Sequence, residues 1–239
     1  MERRHLAECG STNTEALAHL RDRGGPLIVS TDRQTAGRGR LGRAWQSDEA
    51  ALTFSVALPL PAELDLSGLS LAVGCTVADV LDPASERIRL KWPNDLFLDG
   101  AKLGGILIEA VPLPTAQRGV VIGIGINLAP LPADVDRGAY ASGHAALQAL
   151  DPAANAANTL DRLAPALCGM LADFETLGFG PWQAAFARRD LAAGQRVRVG
   201  DQPGIARGVS ARGELLLETA AGLQPISAGE LSLRLENSL

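Results

Sequence analysis

Arg33-Gln34-Thr35-Ala36-Gly37-Arg38-Gly39-Arg40-Leu41-Gly42-Arg43-Ala44-Trp45 holds four arginines, three glycines and no acidic residue. The chain around it carries a formal net charge of −5. Glycine lets the backbone wrap a ligand and present its N–H groups. Arginine offers a permanently charged planar fork that suits phosphate or carboxylate. The segment therefore reads as a local anion cradle in an acidic protein. Gly37 to Gly42 also satisfies GxGxxG, but a dinucleotide fingerprint must open a helix. Arg43 to Asp48 has no amphipathic helical pattern, which argues against that reading. A mobile solvated loop fits the same residues. Like charges this close repel, so the loop is expected to be mobile when empty and ordered by an anion.

Three further segments are unusual. In Lys91-Trp92-Pro93-Asn94-Asp95-Leu96, Pro93 holds Trp92 extended and sets Asn94 and Asp95 at a strand end, where plain turn chemistry is the alternative. Lys102-Leu103-Gly104-Gly105-Ile106 leads an apolar strand through two glycines, which suggests close backbone approach. Taken alone, Lys102 also fits an ordinary surface lysine. In Gly123-Ile124-Gly125-Ile126-Asn127 the glycines leave space for a flat group, and Asn127 can both donate and accept. A bulge with a structural asparagine is the bland reading of that segment.

The elements that must position these residues follow from periodicity. Thr12-Asn13-Thr14-Glu15 has the pattern of a capping box and predicts a short helix to about Leu20. Pro26 to Thr31 predicts a strand feeding the arginine loop. Leu52, Phe54, Val56 and Leu58 alternate with Thr53, Ser55 and Ala57, a strand with one apolar face. Leu66, Leu69, Val73, Val77 and Val80 have helical spacing. Ile88 to Trp92 alternates as a half-buried strand. Asp99-Gly100 between Leu96–Leu98 and Leu103–Val111 predicts a hairpin turn. Val120 to Leu128 predicts a buried strand. Leu160, Leu163, Leu167, Leu171 and Phe174 predict a long helix bent by Pro165. Residues 133–157 form a loose alanine-rich connection. From Gly194 onward short apolar runs are punctuated by Gly200, Gly208, Gly213, Gly222 and Gly229, the texture of a small β-barrel. The mixture points to an α+β fold rather than a doubly wound sheet.

Composition narrows the function classes. At 46% hydrophobic and 21% charged residues, 239 residues make a globular core rather than a disordered chain. No apolar run is long enough to span a bilayer, and the start lacks a signal-peptide pattern, so a cytoplasmic protein is expected. Cys9, Cys75 and Cys168 have no CxxC spacing and read as reduced thiols filling small core positions. His5, His19 and His144 form no ligand pattern, so no built-in metal site is expected. A sequence pI near 5.3 disfavours a broad nucleic-acid-binding face.

Together, Ser11-Thr12-Asn13, the arginine loop, Lys91 to Asp95, Lys102 to Leu107 and Gly123 to Asn127 resemble the biotin protein ligase family in order and spacing. Gly194 to Arg234 is similar to that family's SH3-like domain. The resemblance implies a mixed-sheet catalytic domain of the class II synthetase type over residues 1–190 and an SH3-like β-barrel over 191–239. It implies that biotin and MgATP form biotinyl-5′-adenylate, and that biotin then passes to one lysine of a biotin carboxyl carrier domain of acetyl-CoA carboxylase or a related carboxylase. Mg²⁺ would accompany ATP, with no permanently bound cofactor. Lys102, Arg40 and Asp95 would be catalytic. Ser11, Thr12, Asn13, Gln34, Arg38, Gly39, Arg40, Lys102 and Gly105 would hold biotin. Arg38, Arg40, Arg43, Trp45 and Asn127 would hold ATP and the adenylate, and Asp95 would orient and deprotonate the acceptor lysine.

Ser11 lies ten residues from the start, leaving no room for the winged helix of repressor members, so DNA binding is not expected. The resemblance admits a homodimer and assigns no membrane contact. Lipoyl and octanoyl ligases share the fold, but their arginine followed by a serine-glycine-rich loop has no counterpart here, and Trp92-Pro93-Asn94-Asp95 favours biotin. A binding-only sensor is opposed by Arg40, Lys102 and Asp95 occurring together.

Overall fold

The computed structural model describes residues 1–45, 50–84, 87–114, 116–130, 143–227 and 233–235. Parts of three expected features lie outside them: 46–48 after the arginine loop, 133–142 of the alanine-rich connection, and 228–232 before the last strand. The chain forms two compact units, Met1–Leu64 with Gly100–Arg162, and Asp65–Asp99 with Leu163–Leu239. These units follow different lines from a boundary at 190/191, because both halves of the sequence contribute to each.

The first unit is built on β1 (Glu2–Cys9), α1 (Thr12–Asp22), β2 (Leu27–Gln34), β3 (Ala51–Pro61), and, beyond the second unit's first segment, β6 (Ala101–Pro112) and β7 (Gln117–Asn127). Its strands lie in the order β1-β2-β3-β7-β6. β1 runs parallel to β2, and the remaining neighbours are antiparallel, so the sheet is mixed and the fold α+β. β1 was not expected, since Glu-Arg-Arg-His-Leu-Ala-Glu-Cys lacks an apolar face. It is an edge strand with most of its side chains in water. The apolar side of α1, through Ala16, Leu17 and Leu20, packs on Leu27, Val29, Ala57 and Val121 of the sheet. Burying one such side chain contributes on the order of 1.5–3 kcal/mol, which ties the helix to the strands.

Two local expectations change. The helix begins at Thr12 with Ser11 as its N-cap, and Ser11 makes no side-chain cap bond. The first-turn N–H of Thr12 is instead satisfied by Gln34 Oε1 at 2.8 Å, so this end of the helix is capped from β2. β3 is buried on both faces over its first seven residues, so Thr53 and Ser55, which alternate with its apolar residues, are covered as well.

In the second unit, α2 (Leu69–Leu81), β4 (Ile88–Lys91), β5 (Asp95–Leu98) and α4 (Gln183–Arg189) pack together, and the later part of α3 (Ala156–Leu177), which runs through Pro165, belongs to the same unit. β4 and β5 form an antiparallel hairpin. After β5, Asp99 and Gly100 adopt φ of 50° and 83°, the turn backbone expected of Asp-Gly. A buried ionic cluster fastens the hairpin. The Arg189 side chain is 1% exposed and donates to Asp79, to Asp82 and to the Ile88 carbonyl, while Asp82 Oδ2 accepts the N–H groups of Arg87 and Ile88. Removing one partner from such a cluster typically costs ~3–5 kcal/mol, because a buried charge is left unmatched.

The strands β8 (Arg196–Val199), β9 (Gln202–Val209), β10 (Leu215–Thr219), β11 (Gly222–Ile226) and β12 (Leu233–Leu235) follow. They make an antiparallel sheet in the order β11-β10-β9-β8-β12. The expected barrel is corrected here: among the described residues the sheet is open. Closure requires the two edge strands to pair, and the three-residue β12 pairs with β8. β11 had no clear apolar run and was missed. Among the described residues no helix is long and apolar enough to cross a membrane.

One half-buried acid stands apart from the ionic cluster. Asp190, the C-cap of α4, accepts the Ala192 N–H at 2.9 Å through Oδ1, while its buried Oδ2 has no hydrogen-bond partner among the described residues. Burial pushes its carboxyl above the ordinary value of 3.8. The folded state therefore binds more protons than the unfolded state from pH 3.8 upward, so this group lowers stability as pH rises through that window. Asp190→Asn keeps the Oδ1 acceptor without the charge. We expect the variant to melt at a higher temperature than the parent at pH 7, with the two converging below pH 3.8. Equal melting temperatures at pH 7 would show that the ionised carboxyl is not desolvated.

Candidate functional site

The first unit gathers its chemistry-bearing residues on the sheet face beneath the start of α1. Side chains alternate along a strand, so the register fixes which residues share a face. Ala57 and Val121 lie in the apolar layer under α1. Two residues along each strand stand Ser55 and its neighbour Gly123, and two further stand Thr53 and Gly125, with Gly105 beside Gly125. The face thus passes from an apolar layer to a polar one and then to a floor of small residues.

Asn13 organises the polar layer. Its Nδ2 donates to Glu109 Oε2 at 2.8 Å and to the Leu107 carbonyl at 3.4 Å. Both partners can only accept, which determines the orientation of the amide. Its Oδ1 faces Ser55 Oγ at 2.6 Å. An amide oxygen also only accepts, so the single Ser55 proton is directed there. The 2.7 Å contact between the Ser55 and Thr12 hydroxyls is then made with Thr12 donating. The 3.2 Å approach of Thr12 Oγ1 to Gln34 Oε1 carries no Thr12 proton, and Gln34 is held by the Thr12 N–H instead. Ser11, Thr12 and Asn13 are 5%, 3% and 3% exposed. At that depth every polar atom left without a partner would cost about 1–3 kcal/mol, so the chain of bonds is a condition of folding.

The arginine loop folds on itself. Thr35 and Ala36 donate to the Cys9 and Gly10 carbonyls, which carries Gln34 past the start of α1. Arg38 and Ala44 then form an antiparallel bridge, Gly39 N–H reaches Arg43 O at 2.7 Å, and Trp45 N–H reaches Gly37 O at 2.9 Å. Arg40–Gly42 is a single 3-10 turn whose Leu41 and Gly42 have φ of 57° and 72°. Gly37 is required, since a Cβ there would lie 2.4 Å from Trp45 O. Arg38 Nη2 reaches back to Glu109 Oε2 at 2.9 Å and to Thr14 Oγ1 at 3.4 Å. Glu109 was not anticipated, nor was Ser55. Between them they connect the loop to the polar layer.

The glycines of β7 accommodate flat groups, as their pattern suggested, but the groups are the chain's own. A Cβ on Gly123 would stand 2.3 Å from Asn13 Oδ1, and one on Gly125 would stand 2.4 Å from the Trp45 indole. The Trp45 Nε1–H is buried there without a hydrogen-bond partner among the described residues. Gly104 approaches closely too, its Cβ position lying 2.4 Å from Gly125 O. Asn127 donates from Nδ2 to the Lys102 carbonyl at 3.2 Å, and Ala145 N–H reaches the same carbonyl at 2.8 Å. Asn127 therefore fixes the backbone that carries Lys102.

Asp95 belongs to the second unit. It opens β5 opposite Lys91. The turn before it is clamped by Ser70 Oγ donating to Pro93 O at 2.8 Å and by the buried Trp92 indole donating to Gly213 O at 3.0 Å. Gly213 lies against Gly68 so closely that a Cβ would be 2.6 Å from Gly68 Cα. Arg212 is paired with Asp65 at 2.8 Å. The turn between β9 and β10 thereby fixes the Trp92–Asp95 segment. Among the described residues no three His, Cys, Asp or Glu side chains converge as metal ligands.

The fit of Asn13 over Gly123 gives a direct test of the polar layer. In Gly123→Ala the new methyl must displace the amide and its bonds to Ser55, Glu109 and Leu107. We expect a loss on the order of 2–3 kcal/mol in chemical unfolding, and a smaller loss when the substitution is made in an Asn13→Ala background. Additive losses would mean that Gly123 is not shaped by Asn13.

Comparison with known proteins gives the geometry a family. Residues 9–127 match the Biotin/lipoate A/B protein ligase family, and residues 193–234 match the Biotin protein ligase C terminal domain. The chain is 34% identical over 243 residues to the biotin–[acetyl-CoA-carboxylase] ligase of Paracoccus denitrificans, covering 95% of this chain and 98% of that one. It is 35% identical to the bifunctional ligase/repressor BirA of Escherichia coli, covering 94% of this chain and 71% of BirA. The biotin protein ligase of Aquifex aeolicus in complex with biotin and ATP superposes with a TM-score of 0.82 at 28% identity, over 98% of this chain and 99% of that one. Shared sequence over nearly the whole of both chains, with the same fold throughout, places this chain in the biotin protein ligase family.

Proposed function

We propose that this chain activates biotin with MgATP and transfers it to a lysine of a biotin carboxyl carrier domain of acetyl-CoA carboxylase or a related carboxylase. The observation that carries the reading is the arrangement of the first unit. A cationic glycine loop, a buried hydrogen-bonding layer and a glycine floor share one sheet face, in a chain akin to biotin ligases.

In the first step a biotin carboxylate oxygen bonds to the α-phosphorus of ATP as the bond to pyrophosphate breaks. Two anions must meet, and fixed cations offset their repulsion. Arg38, Arg40 and Arg43, with loop N–H groups such as that of Gly39, are assigned to the phosphates and the mixed anhydride. Lys102 is assigned to the biotin carboxyl and α-phosphate oxygens, beside Gly105. Ser11, Thr12, Asn13 and Gln34 are assigned to the ureido and thiophene end of biotin, Thr12 and Gln34 by contact and Asn13 through Ser55. Trp45 covers the adenylate, and Asn127 faces its adenine while holding Lys102. Ordering of the arginine loop around the anhydride would exclude water from it.

In the second step the acceptor amine bonds to the acyl carbon, the bond to the adenylate oxygen breaks and AMP leaves. Asp95 is assigned to orient that amine and take its proton. Residues 1–190 and 191–239 are the two functional modules in this reading, in keeping with family matches ending at 127 and starting at 193. The cytoplasm is the proposed location, supported by three unpaired thiols. A homodimer and an absence of DNA binding complete the proposal, the latter supported by a net charge of −5.

Pyrophosphate release tests the reading. It should require biotin and MgATP and should not proceed with lipoate. Release with lipoate, or none with biotin, would reject it. Within the same assay, Lys102→Gln should lower the rate by ~10²–10³, because charge on the α-phosphate oxygens grows as the carboxylate attacks. Biotin affinity by calorimetry should change much less. A near-native rate, or a defect confined to biotin binding, would remove Lys102 from the catalytic role.

A further inference from the structure

Glu109 stands outside the expected site residues, yet its Oε2 accepts from two directions: from Asn13 Nδ2 at 2.8 Å and from Arg38 Nη2 at 2.9 Å. Its pairing with Arg38 is half exposed, with side-chain exposures of 26% and 46%. A pair of that kind contributes at most about 1 kcal/mol to stability, so its significance lies in direction rather than in strength.

On the Asn13 side that direction propagates. The carboxylate can only accept, so it turns the Asn13 amide with Nδ2 outward and Oδ1 toward Ser55. Ser55 must then donate to Asn13, and Thr12 must donate to Ser55. With its proton committed, Thr12 Oγ1 presents only lone pairs to anything that approaches it. A ligand N–H is the complement of that oxygen. A ligand acceptor would be repelled. On the Arg38 side the same oxygen holds one end of a guanidinium, whose Nη2 also reaches Thr14 Oγ1 at 3.4 Å.

We propose that Glu109 is a positioning and specificity-determining residue: its carboxylate sets the proton order Thr12 → Ser55 → Asn13, so that Thr12 accepts from a ureido N–H, and it aims Arg38 at the acid end of the same ligand. This rests on the biotin reading above. One half-exposed charge thereby couples recognition of both ends of one molecule, without touching it. Neutralising Glu109 leaves a weaker acceptor, and the orientation of Asn13 then depends on the 3.4 Å contact with the Leu107 carbonyl.

The test is a double-mutant cycle of Glu109→Gln and Ser55→Ala, read as the Kd of biotin methyl ester by calorimetry. The ester is uncharged, so the Arg38 contribution is removed and only the relay is read. Replacing a charged acceptor by a neutral one should weaken the ester about tenfold in the parent. In the Ser55→Ala background, where the relay is already cut, the same change should have less than about a twofold effect. Equal effects in the two backgrounds, or an unchanged Kd in Glu109→Gln, would overturn the relay. A role in folding alone would lower the melting temperature without this non-additivity. A measurement on the parent needs no variant to fold. The Asn13 side-chain amide should exchange slowly with solvent and shift in the NMR spectrum when the ester binds. Exchange at the rate of an exposed asparagine would also overturn the relay. If the folded parent binds neither biotin nor its ester, the biotin reading falls and the relay with it. If it binds both and Glu109→Gln binds the ester equally well, only the relay falls.

Discussion

A helix that begins with three buried polar residues on the floor of a β-sheet is the constraint on which this protein depends. Ser11, Thr12 and Asn13 are almost completely removed from water, and their polar atoms must find partners there or destabilise the fold. The solution draws on four strands or their ends. Gln34 caps the helix, Ser55 bridges Thr12 and Asn13, Glu109 anchors the amide, and Gly123 makes room for it. Each bond fixes the orientation of the next, so the result is both stable and directional. The arginine loop inherits its position from the same network, through Gln34 at one end and Arg38 at the other.

The second unit solves a different problem with different means. Its task is to hold the segment from Trp92 to Asp95. It uses a buried indole, a serine hydroxyl and an arginine surrounded by aspartate and backbone oxygens. The Trp92 bond to Gly213 makes the sheet that follows α4 part of the support of Asp95. A carboxy-terminal segment that holds none of the residues assigned to biotin can therefore still matter for transfer, by fixing the group assigned to the acceptor amine.

Much of this was legible in the sequence, and the failures have physical causes. The arginine loop, the Asp-Gly turn, the glycine pattern of β7 and most strands follow from residue type and spacing. β1 escaped because an edge strand with most of its side chains in water needs no apolar alternation. Thr12-Asn13-Thr14-Glu15 resembles a capping box, but the cap comes from β2, and the hydroxyl and amide serve the site instead. The burial of Ser55 escaped because alternation reports which residues differ, not whether the polar face is covered. Here a helix start covers it. Glu109 had no local signal at all: its partners lie 96 and 71 residues away. The glycines were correctly linked to flat groups, though the amide and indole that occupy them could be found only in three dimensions. Among the described residues the expected barrel is an open sheet, because short apolar runs specify strands but not closure.

The proposed function is that biotin activated with ATP passes to a single lysine of a carrier domain. Its most direct measurement is the intact mass of a purified biotin carboxyl carrier domain incubated with this protein, biotin and MgATP. A gain of one biotinyl group is expected, lost when the acceptor lysine is replaced and absent when lipoate is supplied instead. A carrier whose mass is unchanged while pyrophosphate accumulates, or one acylated with lipoate, would contradict it.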